Sequence, residues 1–199
     1  MRALFVAVAV VIAALGLGAC RQARESVGLS APSEAESLGA PDAAAARAGQ
    51  YYTQFTLQAE KWTYRTTNYR RGFVLPINSE VTFVAMNAKQ AKVRTATGDQ
   101  LVIENMPKHT NDTMEDAFDE LFARQPVDLS PFSAAEQGPI RDGRLELGMS
   151  KDAVFAALGP PPAIGTPSLD SNQWKYWSSR WATFIVRFEG GVAVEKIGR

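Results

Sequence analysis

Between Tyr51 and Asn105 the chain reads as β, and in YYTQFTL the positions Tyr52, Gln54 and Thr56 alternate with Tyr51, Thr53, Phe55 and Leu57, the period of a strand. The β-rich runs are YYTQFTL, KWTYRTTNY, GFVLPINSEVTFVAM, AKVRTAT and QLVIEN. GFVLPINSEVTFVAM holds two short runs joined at Pro76 to Ser79. Gly98-Asp99 separates the last two runs. Gly at the first of two loop positions predicts a type II′ hairpin, because Gly accepts the positive φ required there. Five or six short strands with polar turns predict a small barrel or rolled sheet.

The period then changes. Asp112-Thr-Met-Glu115 has capping-box spacing with Asp112 as the cap. Met114, Phe118, Leu121 and Phe122 fall on one helical face, and Asp116, Asp119 and Glu120 fall elsewhere. This predicts an amphipathic helix of about three turns, which Gln125-Pro126 ends. Ser133 and Glu136 form a second capping box, for a short helix that Gly138-Pro139 interrupts. In GMSKDAVFAALGPPP, Gly148 to Pro162, Ser150 is an N-cap and Met149 with Val154 has hydrophobic-staple spacing. Asp152 sits at the positive helix end. Val154, Ala157 and Leu158 share a face, Gly159 fits the C′ position, and Pro160 prevents continuation.

Downstream, a three-residue loop at Ser178-Ser179-Arg180 sets Trp177 opposite Trp181, Tyr176 opposite Ala182 and Trp174 opposite Phe184. A second three-residue loop, Glu189-Gly190-Gly191, sets Phe188 opposite Val192 and Val186 opposite Val194. A two-residue Gly-Gly turn would instead put Val186 against Glu195. The three-residue register keeps Trp174, Tyr176, Phe184, Val186 and Phe188 on one face, so it is preferred. The prediction is a three-stranded meander covered by the short helix.

The chain starts differently. MRALFVAVAVVIAALGLGAC has a positive start, an apolar middle and a small-residue exit, the pattern of a secretory signal. Its apolar run is short for a membrane span, which needs about 20 residues. The exit resembles a bacterial lipobox, with Leu17 and Ala19 before Cys20. That resemblance implies lipidation at Cys20, and Arg21 in place of Asp implies the outer membrane. Cys20 is the only cysteine, so an intramolecular disulfide is excluded. Residues 21–49 are rich in Ala, Ser, Glu, Gly and Pro and hold no aromatic residue, the composition of a disordered tether. The expected layout is therefore a signal at 1–19 and a tether at 20–49. A β-rich segment with its amphipathic helix follows at 50–125, and an α+β domain at 130–199.

Of 21 basic and 21 acidic residues only Arg2 lies in 1–19, so the mature chain carries a formal charge of −1. That balance argues against a nucleic-acid protein, and no polybasic patch supplies membrane binding apart from the lipid. One histidine, His109, and one cysteine leave no Cys/His metal cluster. A Ser-His-Asp site would have to use His109, and no nucleophile elbow accompanies it. His109 reads as a polar loop residue. Asp112, Glu115, Asp116, Asp119 and Glu120 read as a solvated helix face. Gly190-Gly191 is a turn and not a phosphate loop, because no helix follows. No catalytic residue, metal or cofactor is expected. Trp177 and Trp181 fall on the face opposite the meander core, beside Arg180. They are the candidate protein-binding residues, since Trp and Arg concentrate at interaction hot spots, unless another part of the chain covers them.

Residues 140–199 resemble the SmpA/OmlA (BamE-like) lipoprotein family. The matching features are Gly148-Met149-Ser150, Val154, Leu158-Gly159 with Pro161, Trp174, Tyr176, Phe188 and Gly190. The resemblance implies two helices packed on a three-stranded antiparallel sheet. The run from Leu75 to Glu104 is broadly similar to SH3-type barrels. The expected fold class is α+β, with the BamE-like unit preceded by a small barrel-like segment and an amphipathic helix. The expected function is a non-enzymatic interaction or assembly scaffold, lipid-anchored at the outer membrane and facing the periplasm, with an envelope protein as partner. The alternative is a periplasmic ligand-binding or inhibitory module.

Overall fold

The computed structural model describes residues 45–198. Cys20, the signal and most of the tether lie outside the described residues. The fold is mixed α+β, with a curled sheet and a separate C-terminal three-stranded antiparallel sheet. The first part comprises β1 (Gln50–Thr53), β2 (Leu57–Ala59), β3 (Thr63–Arg65), β4 (Phe73–Leu75), β5 (Glu80–Met86), β6 (Gln90–Thr95), β7 (Gln100–Glu104) and β8 (Phe122–Ala123). Six of these form a sheet in the order β3-β7-β6-β5-β1-β8, and β2 pairs with β4. β3 runs parallel to β7. In β5 the period of two is direct: Val81 and Phe83 are buried, and Glu80, Thr82 and Val84 are exposed.

Helix α1 (Pro107–Thr110) is one turn, and α2 (Met114–Leu121) covers the sheet with Met114, Ala117, Phe118 and Leu121. Phe118 meets Tyr51 and Phe83 edge-on, with ring centroids 5.1 and 5.6 Å apart. Arg47, within the expected tether, is already docked: it ion-pairs with Asp119 and lies 5.2 Å from the Phe118 ring centroid.

α3 (Ala134–Asp142), α4 (Lys151–Leu158), β9 (Gln173–Ser179), β10 (Ala182–Glu189) and β11 (Val192–Gly198) make the C-terminal part, with sheet order β11-β10-β9. Ile140, Val154, Ala157, Leu158, Trp174, Tyr176, Val186 and Phe188 belong to one hydrophobic cluster there. Ser150 caps α4 by accepting from Ala153 N at 3.2 Å.

Several local expectations are corrected. The α2 cap is Thr113 and not Asp112, with Asp116 as its capping-box partner. A box shifted by one fits the same acidic stretch. The helix is two turns, because Phe122 leaves it to pair with Thr53 in β1. Pro139 does not interrupt α3, which runs on to Asp142 and closes on Gly143 in the left-handed conformation. The lost proline N–H is outweighed there by burial of Pro139 and Ile140. The β6–β7 loop has three residues: Thr95 N donates to Asp99 O, and Gly98 takes φ 92° at the last loop position. That is the αL position of a three-residue hairpin, not the first position of a type II′ turn.

Both meander loops have two residues followed by a bulge. Ser179 pairs with Ala182 around Arg180-Trp181; Ser178 is then extra, so Tyr176 faces Phe184 and Trp174 faces Val186. Glu189 pairs with Val192 around Gly190-Gly191; Val194 is then extra, so Val186 faces Lys196. Gly190 and Gly191 have φ 58° and 81°, the positive pair that a type I′ turn requires and that matches strand twist. Ala193, not Val192, is the buried residue at the start of β11.

The two segments interlock. Ile77 from the β-rich part packs in the C-terminal cluster, and Phe155 packs against both clusters. Thr56 donates from its backbone N to Ala156 O at 3.0 Å and from its hydroxyl to Ile140 O at 2.6 Å.

Candidate functional site

The β9–β10 turn projects from the seam between the segments. Trp181 at its tip is 86% exposed, and Arg180 Cζ lies 5.1 Å from its ring centroid. Trp177, two residues before Ser179, is half-buried. Thr183 and not Trp181 is its cross-strand partner. On its other side the β3–β4 connection runs alongside: Tyr69 forms a parallel bridge with Trp177, and Arg70 N donates to Trp177 O at 2.8 Å. Lys175 Nζ lies 5.6 Å from the Trp177 centroid. The His109 ring, on α1, meets Trp177 edge-on at 6.4 Å.

These contacts enclose a groove of about 690 Å³. Trp177, Arg180 and Trp181 all line it, together with Arg65, Thr67, Tyr69, Arg71, Met106 and His109. The three candidate residues are therefore brought to one surface, but in different environments. Trp177 is covered by the β-rich part, and Trp181 is not. Arg65 is paired with Glu104 at 2.8 Å and Arg71 with Glu60 at 2.6 Å. No Asp or Glu is among the lining residues.

The groove floor is held by a polar knot that periodicity does not reveal. The Arg70 guanidinium donates to Thr56 O, Asn68 Oδ1 and Leu158 O from one nitrogen, at 3.2, 3.2 and 3.0 Å. It donates to Gly143 O and Ala157 O from the other, at 3.2 and 3.1 Å. Asn68 Nδ2 donates to Leu158 O and Pro160 O at 2.6 and 2.9 Å. The carbonyls at the α4 C-terminus carry partial negative charge and have no helical partner, so a buried cation suits them. Burial pushes the Arg70 pKa down to about 10, which leaves it charged at neutral pH. This knot fixes the backbone on both sides of Tyr69, and so fixes the groove wall against Trp177.

Asp112 and Glu120 line a separate pocket of about 200 Å³ under the proline-rich loop after α4. Desolvation first, and Asp112 second, push Glu120 up to about 7, although much of the residue is exposed. Asp116 serves the α2 cap and Asp119 pairs with Arg47, so these acids are accounted for locally. Among the described residues no group of three His, Cys, Asp or Glu is placed to hold a metal. No described helix is long and apolar enough to cross a membrane. His109 is on a helical turn rather than in a loop, and it lines the groove. No family model, curated protein or solved structure matches this chain.

Proposed function

We propose that the chain is a lipid-anchored protein of the bacterial outer membrane, facing the periplasm, and a non-enzymatic interaction scaffold. Its partner-binding surface is the Trp177–Arg180–Trp181 hairpin with the adjoining groove. The observation that carries this reading is Trp181. A side chain of that size left 86% exposed at the tip of a turn, stacked by an arginine and continuous with a groove, gives the fold no burial energy of its own. Support for the anchor comes from the lipobox-like Leu17–Cys20 sequence. The SmpA/OmlA-like reading of residues 140–199 draws support from α3 and α4 sharing one hydrophobic cluster with the meander.

The test has two arms. A photo-crosslinking residue at position 181 in living cells yields a discrete, identifiable envelope-protein adduct. The same residue at Leu147, which is exposed and outside the groove lining, does not. Equal labelling at both positions, or none at 181, overturns the surface. Cys20→Ser releases the protein from the membrane fraction; persistence there overturns the anchor.

A further inference from the structure

The groove holds a concentration of unmet hydrogen bonds. Thr67 Oγ1, His109 Nδ1 and Trp177 Nε1 are shielded from solvent and have no partner among the described residues. All three residues line this one groove. Arg70 Nε is the other described side-chain atom in that condition. Buried polar atoms are nearly always paired, and an unpaired one costs about 1–3 kcal/mol. Three around one groove mark a place where a ligand recovers interactions that the chain itself leaves open. Thr67 is only 2% exposed, so its hydroxyl is not a surface group that turns to water.

The chemistry of the three atoms selects the ligand group. Trp177 Nε1 is a donor only, and the Thr67 hydroxyl and the His109 ring nitrogen can each donate. An acceptor-rich group satisfies all three together, and an ionised carboxylate offers about four lone-pair sites on two oxygens. The surrounding charge agrees. Arg180 and Lys175 stack on Trp181 and Trp177, and among the described residues neither has an ion-pair partner. Arg65 and Arg71 are neutralised by Glu104 and Glu60. The net field therefore suits one or two carboxylates rather than a cluster of phosphates. Trp181, Tyr69 and Met106 supply apolar surface next to the polar floor. The groove's volume, about 690 Å³, falls within the roughly 300–1,000 Å³ of sites that enclose a small ligand or a few residues of chain.

We propose that this groove binds an acidic peptide segment of a partner protein. Side-chain movement on binding opens the shielded polar atoms of Thr67, His109 and Trp177 to one side-chain carboxylate, and a neighbouring apolar side chain lies on Trp181. The proposal rests on the reading of this groove as the interaction surface.

The probe is a fluorescein-labelled pentapeptide, Phe-Glu-Asp-Phe-Glu with blocked ends, titrated by anisotropy against the full chain in detergent. The control is the same peptide with every acid replaced by its amide. The acidic peptide is expected to bind at least about tenfold more tightly, the worth of one charge-assisted hydrogen bond, and to weaken as salt rises. Arg180→Glu is expected to lose about tenfold, and Thr67→Val several-fold with unchanged circular dichroism. Equal binding of the two peptides, or no effect of either variant, overturns the proposal. So does full competition by phosphatidylglycerol carried in the same detergent micelles, which would assign the groove to a lipid headgroup. Failure of the acidic peptide with a protein adduct still formed at position 181 removes the carboxylate specificity and leaves the interaction surface standing. Loss of the adduct as well removes both.

Discussion

Glu136 organises two helix starts with one carboxylate. Oε2 accepts from Ser133 N and Oγ at 3.0 and 2.8 Å, and Oε1 accepts from Ser150 N and Oγ at 2.9 Å each. These bonds, that from the Ser150 backbone foremost, hold its pKa down to about 2 against an ordinary 4.5. A carboxyl more acidic in the folded than in the unfolded chain stabilises fully above the unfolded value. That contribution is lost as pH falls from about 4.5 towards 2. Glu136→Gln is therefore expected to cost about 1–2 kcal/mol at pH 7, the worth of two weakened caps. It is also expected to flatten the acid limb of the stability curve in that window. Thermal unfolding across pH checks it; an unchanged acid slope contradicts it. The local half of this arrangement was legible, because Ser133 and Glu136 have capping-box spacing. The half that reaches Ser150 was not, since it depends on how α3 packs beside α4. Arg70 and Asn68 are the same case: both donate to Leu158 O, 88 and 90 residues further along the chain, and no local pattern announces it.

At the scale of elements, faces were legible and registers were not. Sliding β9 against β10 by two residues leaves Trp174, Tyr176, Phe184, Val186 and Phe188 on the same side, so the hydrophobic pattern cannot tell the two alignments apart. The choice falls to turn geometry, and the two-residue turns each need a bulge that the sequence does not mark. This is also why Trp177, Arg180 and Trp181 emerged as outward candidates while the remainder of the groove stayed hidden. Thr67 and Tyr69 end a run read as strand, Met106 and His109 lie between predicted elements, and no local pattern brings the two pairs to one groove. Helix starts show the same limit of one residue. Thr113 Oγ1 accepts from Asp116 N at 3.1 Å, and Asp116 accepts from Thr113 N at 3.2 Å. Thr113→Ala is expected to cost about 1 kcal/mol, whereas Asp112→Ala leaves the cap intact. Chemical denaturation of the two variants side by side distinguishes them, and equal losses would place the cap wrongly.

At the scale of the whole described chain, the expected boundary between a β-rich segment and an α+β domain is crossed by structure of both kinds. Thr56 sits between α3 and α4, Ile77 enters the C-terminal cluster, and Phe155 touches both clusters. Gly159 is the tightest of these joints. It has φ 72°, and a Cβ there would stand 2.3 Å from the Phe55 ring, which has no exposed surface. Gly159→Ala must therefore force apart a ring of the first cluster and the end of α4 in the second. Overpacking of a core costs about 1–3 kcal/mol, and φ 72° with ψ −173° lies in a region open essentially to glycine only, which adds about 1–3 kcal/mol for an L side chain. If the two clusters formed independent domains, the strain would fall mainly on one of them. Because they share Thr56, Asn68, Arg70 and Phe155, the whole described region is expected to unfold in one transition, which Gly159→Ala shifts as a unit. Two variants that keep a single tryptophan, Trp62 in the β-rich part or Trp174 in the C-terminal cluster, report the two halves by fluorescence. Coincident midpoints, displaced together by Gly159→Ala, are the expected result. A displacement confined to one reporter would mean that the interlocking contacts do not couple the halves, and that the groove between Tyr69 and Trp177 is a junction able to open.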